Sequence, residues 1–151
     1  MGIRAARSDD KRSWPTYLLP LIGLLFLAGC RQNERIPPAT EVTEATRTPL
    51  RDLSAAARDG ERLFRRNCTI CHGLHGAGDG PSRSTLIAAP ANLTVDPVAS
   101  YSDGRMFLSI RQGKMVKGRL TMPPVEKITD EEIWKTIAYV RTLAGAMSGV
   151  K

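Results

Sequence analysis

Cys68-Thr69-Ile70-Cys71-His72 is the stretch whose residue types and spacing spell out a reaction centre. Two thiols three positions apart, followed at once by an imidazole, form the C-x-x-C-H pattern of covalent c-type haem attachment. The thiols reach the two vinyl groups on one edge of a porphyrin, and His72 falls under the iron with a neutral ring nitrogen to offer. Other chemistries use the same residues. A redox dithiol needs a preceding strand and a βαβ frame, and neither pattern is visible. Zinc held by Cys68, Cys71, His72 and His75 suffers from the adjacency of Cys71 and His72, and no second CxxC exists. A simple disulfide is the third alternative. An export signal, described below, favours haem, which covalent attachment keeps bound outside the cytoplasm.

If haem is present, two further groups matter. The second ring nitrogen of His72 should donate to a backbone carbonyl, which fixes the tautomer. Pro90, in Ala89-Pro90-Ala91-Asn92-Leu93, is the expected acceptor. The sixth iron ligand is sought among Met106, Met115, Met122 and Met147. Met106 falls on a helix face, Met147 beyond the last helix and Met115 in a basic loop. Met122 precedes Pro123 and Pro124, and a residue before proline is held extended. A stiffened loop can keep a weak thioether on iron, so Met122 is the expected distal ligand. His75, in a glycine-flanked turn, is expected to face solvent.

The elements that must position these groups are few. The 151 residues suffice for one domain and a tail, not for a two-domain enzyme or a long repeat array. Residues 1–29 read as a signal peptide: a basic start, then an apolar run from Tyr17 to Gly29 that is too short to span a bilayer. The run ends in Leu27-Ala28-Gly29-Cys30, which resembles the lipobox of bacterial lipoproteins. That resemblance implies cleavage before Cys30 and lipidation of its thiol. Residues 30–50, with Pro37, Pro38 and Pro49 and alternating charges, predict a flexible linker. The cofactor domain is expected over 51–147, with 148–151 as a tail. The net charge of +7 is spread among mixed signs, and export excludes a nucleic-acid role.

Three helices are predicted. The first, over about 54–67, carries Ala56, Gly60, Leu63 and Phe64 on one face. Its Gly60 suggests close approach of another backbone. The second, over about 102–112, is capped by Ser102 and ended by Gly113. The third opens on the capping box Thr129-Asp130-Glu131-Glu132 and is stopped at Gly145. No strand signal stands out between the first two. The expectation is an all-α chain of about three to five helices with long loops, organised by something internal. Aromatic residues make up only 5% of the chain, and a haem supplies the apolar body they do not.

Taken together, these motifs resemble a class I c-type cytochrome over about 90 residues. The likeness rests on Gly60, Phe64, Cys68, Cys71, His72, Gly78-Asp79-Gly80-Pro81, Met122-Pro123 and Tyr139-Val140-Arg141. It implies the cytochrome c fold around one haem c, His/Met ligation, and a Gly60 crossing flanked by Phe64 and Tyr139. The expected function is single-electron transfer in a respiratory chain, by a free carrier on its tether or a subunit of a larger complex. The alternative is a haem protein with a labile sixth ligand that acts on peroxide or binds a small gas. Expected partners are an oxidase or a quinol:cytochrome c oxidoreductase, and the membrane through lipid on Cys30. The haem domain would face the periplasm or the outer side of a bacterial membrane. Arg111, Lys114, Lys117 and Arg119 cluster before Met122, where they would dock acidic partners or pair with haem propionates.

Overall fold

The computed structural model describes residues 35–148, with side-chain surroundings given for 35–145. The signal peptide and Cys30 lie outside the described residues. The described residues belong to one compact unit with a core of its own. Its elements are α1 (Leu53–Asn67), the single-turn α2 (Thr69–His72), α3 (Asp103–Gln112), the strands β1 (Lys114–Val116) and β2 (Arg119–Met122), and α4 (Asp130–Ser148). The fold is mostly helical, with one small two-stranded sheet, consistent with the cytochrome c fold.

Local chemistry accounts for the helix starts. The Asp52 carboxylate accepts from the Ala55 N–H at 2.8 Å and caps α1. Ser102 Oγ accepts from the Arg105 N–H at 3.2 Å and caps α3. At α4 both halves of the capping box form: Glu132 N–H donates to Thr129 Oγ1 at 3.2 Å, and Thr129 N–H to Glu132 Oε2 at 2.9 Å. That backbone bond holds the Glu132 carboxyl below its usual range, against a smaller opposing effect of burial. Gly145 does not stop α4, which runs on to Ser148, so Met147 falls within the helix. A glycine in a helix costs about 1 kcal/mol and need not end it.

Helices α1 and α4 cross at Gly60. A Cβ there would lie 1.9 Å from the carbonyl oxygen of Lys135, so only glycine lets the backbones meet. Beside the crossing, Phe64 and Tyr139 pack with ring centroids 5.3 Å apart. On the other side of α4, Trp134 stacks on Phe107 of α3 at 4.6 Å. Phe64, Phe107, Ile133, Trp134 and Ile137 are fully buried. Each such side chain contributes about 2 kcal/mol of apolar burial.

Two segments depart from the sequence reading. The first is the expected flexible linker. From Ile36 onward it packs as an arm on the helices, burying Val42 and Leu50. Two carboxylates hold it. Asp130 accepts from the Ala39 N–H at 2.9 Å and from Arg111 at 2.5 Å. Asp103 accepts from the Thr48 N–H at 3.2 Å and from Arg141 Nε at 3.0 Å. Arg141 also donates to the carbonyls of Ala99 and Tyr101. The Gly104 N–H donates to the Thr46 carbonyl at 2.8 Å, and a Cβ on Gly104 would stand 2.0 Å from the Thr43 oxygen. The second is the hairpin of β1 and β2, read from sequence as a loop. Lys117 and Gly118, at φ 49° and 74°, turn the chain in the primed geometry that suits a two-residue hairpin.

Candidate haem-binding site

The CxxCH motif sits where α1 ends. The Cys68 N–H still bonds to the Phe64 carbonyl at 2.8 Å, and the His72 N–H bonds to the Cys68 carbonyl at 2.8 Å. The following loop is stitched to the motif's outward carbonyls. Gly78 N–H donates to His72 at 2.9 Å, Gly80 N–H to Cys71 at 3.1 Å and Ser82 N–H to Ile70 at 2.9 Å. The Gly78-Asp79-Gly80-Pro81 turn thus braces the attachment segment.

His72 Nδ1 donates to the carbonyl of Ala91 at 3.0 Å. The acceptor is therefore Ala91, one residue past the expected Pro90. The Pro90 carbonyl is turned toward Gly78 instead: a Cβ on Gly78, at φ 78°, would lie 2.4 Å from that oxygen. The bond to Ala91 leaves Nε2 of His72 with its lone pair. Burial lowers the His72 pKa, and the Ala91 carbonyl opposes this only in part, so the ring is kept neutral and able to ligate. Burial, with the nearby Cys71 thiol, pushes the Cys68 thiol up to about 12.

A cavity enclosing about 650 Å³ of unfilled space, part of it open to solvent, lies between the motif and the helices. Cys68, His72 and Ala91 line one part of it. Met106, Ile110, Lys114 and Met122 are also in its lining, with Phe64, Ile137 and Val140 among the apolar walls. The lining is predominantly apolar, which suits a porphyrin. Lys114 is the only formally charged side chain, apart from the titratable His72, among the lining residues.

Met122 is held from both sides. It pairs with Lys114 across the hairpin, and three residues on, the Val125 N–H bonds to the Ile110 carbonyl at 3.0 Å. Met106 lines the same cavity but belongs to the buried core. Met115 projects from the hairpin and is 60% exposed. His75 is exposed and does not line the cavity. Among the described residues no three His, Cys, Asp or Glu side chains converge as metal ligands, so the zinc arrangement finds no support. The basic cluster splits up: Arg111 pairs with Asp130, Lys114 turns to the cavity, and Lys117 and Arg119 are exposed. Sequence reasoning missed Ala91, and it named Lys114 only as one of four clustered cations; the hairpin register that turns Lys114 alone of them to the cavity had no strong local signal.

Residues 55–140 match the family model described as cytochrome c oxidase, cbb3-type, subunit III. The chain belongs to that family. It is a cbb3-type cytochrome c domain, a class I monohaem c-type cytochrome, and carries covalently bound haem c. Haem-based electron transfer is accordingly its chemistry. A solved chain of the Kuenenia stuttgartiensis reducing HAO-like protein complex Kustc0457/Kustc0458 is similar, at 25% identity and a TM-score of 0.53. The likeness covers 68% of this cytochrome and 49% of that chain, so the cytochrome spans about half the length of its structural neighbour. No curated protein matches it. No described helix is long and apolar enough to cross a membrane.

Proposed function

We propose that this cytochrome domain is a single-electron carrier of a bacterial respiratory chain, with His72 and Met122 as its axial ligands. One observation carries the reading: Cys68, His72 and Met122 line the same apolar cavity, while Met115 and His75 lie outside it. When bound, the haem supplies a one-electron ferric/ferrous couple, and a thioether opposite imidazole raises its potential. The chain's own residues do the rest. Cys68 and Cys71 hold the group covalently. Ala91 keeps His72 in the ligating tautomer. Ile110 and Lys114 fix the backbone around Met122, which keeps water and small ligands from the sixth position.

Cys30 carries the lipid in this reading, with the domain outside the cytoplasm on the periplasmic or outer side of the membrane. Its partners are redox proteins such as an oxidase or a quinol:cytochrome c oxidoreductase. The similarity to a chain of an HAO-like complex supports assembly with other redox proteins. Peroxide or gas chemistry would need an acid/base group at the sixth position, and His75 is not in the lining.

Absorption spectroscopy of the ferric protein tests the ligand set. The thioether–iron charge-transfer band should be present in the wild type and in Met115→Ala, and absent in Met122→Ala. A band that survives Met122→Ala would overturn the assignment and direct attention to Met106.

A further inference from the structure

Between Asp103 and Glu126 the chain has no acidic residue, yet it carries Arg105, Arg111, Lys114, Lys117 and Arg119. Three of these cations are engaged. Arg105 lies over the Tyr101 ring at 3.8 Å, Arg111 pairs with Asp130, and Lys114 faces the cavity. Lys117 and Arg119 stand exposed on the hairpin, beside Met115, Val116 (44% exposed) and Leu120 (48%). Met115 pairs with Leu120 and Val116 with Arg119, and successive strand residues alternate sides, so apolar groups stand on both faces of the ribbon. None of the three lines the haem cavity, so the cofactor does not cover them.

The place where the arm docks adds a second observation. The Ala39 N–H bonds to Asp130, Asp130 pairs with Arg111, and Arg111 lies three residues before Lys114. The chain therefore enters the domain near the hairpin's base. From Cys30 to Ile36, the first of the described residues that packs on the core, are six Cα steps. They span at most about 20 Å. A domain of this size has a radius of gyration of about 13 Å, so that reach is less than its width.

We propose that the hairpin over residues 114–122 rests on an anionic membrane surface. Lys117 and Arg119 lie among the headgroups, and Met115, Val116 and Leu120 enter the interfacial layer. The placement rests on the Cys30 anchor of the preceding reading; the amphipathic ribbon does not. A lipid surface is favoured over an acidic protein because both ribbon faces carry apolar groups, and the short tether keeps the hairpin's base close to the anchor. The thioether edge, with Ile70 and Leu74 exposed nearby, remains open to a redox partner.

The haem-loaded chain from Arg31 onward, which lacks the lipid, is sedimented with vesicles of phosphatidylcholine alone and with vesicles containing phosphatidylglycerol. It should bind the anionic vesicles, at least about tenfold more weakly the neutral ones, and lose binding as salt rises. Met115→Ser/Leu120→Ser and Lys117→Gln/Arg119→Gln should each cut binding about tenfold, with haem spectrum and thermal midpoint unchanged. Absence of binding to anionic vesicles overturns the proposal. So does binding that both double variants retain, or loss confined to electron transfer with an acidic redox protein, which would make that protein the occupant. Palmitate labelling of the full chain reads the anchor separately. Label without vesicle binding removes the hairpin proposal, and vesicle binding without label keeps it while removing the anchor.

Discussion

The arm over residues 36–50 has little regular structure, the hairpin over residues 114–122 is a two-stranded ribbon, and their surroundings differ sharply. The arm is proline-rich and polar, yet it buries Val42 and Leu50. The hairpin carries four large apolar residues, yet exposes three of them, Met115, Val116 and Leu120. The difference lies in where backbone donors go. The arm's Ala39 and Thr48 N–H groups end on Asp130 and Asp103, carboxylates already oriented by Arg111 and Arg141. The hairpin pairs with itself, and only its two ends, Lys114 and Met122, reach the cavity. A segment's composition predicts its order less well than the fixed partners waiting for its backbone.

Substitutions that dislodge the arm should be the most costly. Gly104→Val forces a side chain into the Thr43 carbonyl and should destabilise the protein by about 3 kcal/mol, read by urea unfolding. Trypsin should then cut at Arg47 at a concentration that spares the wild type. An unchanged urea midpoint would mean that the arm is not held as described. Asp103→Ala comes next. It strands the Thr48 N–H and removes an anion from Arg141, so a loss of about 2 kcal/mol is expected. The same experiment on the hairpin, Leu120→Ser, should change stability by less than about 0.5 kcal/mol, because no core contact is lost. A large effect there would erase the contrast between the two segments.

A smaller effect concerns the start of α4, where the arm docks. Glu132 has its pKa lowered in the folded protein by the Thr129 backbone bond. Its contribution to stability is therefore present above the unfolded carboxyl pKa and is lost as pH falls through the lower folded value. Glu132→Gln should flatten the acid limb of the stability–pH curve, at the cost of a few tenths of a kcal/mol near neutrality. An acid limb as steep as the wild type's would assign the sensitivity to other carboxylates.

Much of the site was legible because its determinants are local. CxxCH is a spacing, the helix caps are four-residue patterns, and Gly60 announced a backbone crossing from one helix face alone. What was hidden depends on long-range register. Ala91 rather than Pro90 meets His72 because the loop is set by its approach to Gly78, thirteen residues earlier. The arm's order depends on Asp103 and Asp130, and nothing in residues 30–50 encodes those partners. The hairpin strands have three and four residues, too few for alternation to stand out. Helix α4 passes Gly145 because a lone glycine lowers helix stability without supplying a stop.

Carbon monoxide binding to the reduced protein tests the central claim most directly. An electron carrier with His72 and Met122 both on the iron should leave the ferrous spectrum unchanged under carbon monoxide, and Met122→Ala should bind the gas within the mixing time. Rapid binding by the wild type would mean an open sixth position, and would contradict the account of this domain as a closed single-electron carrier.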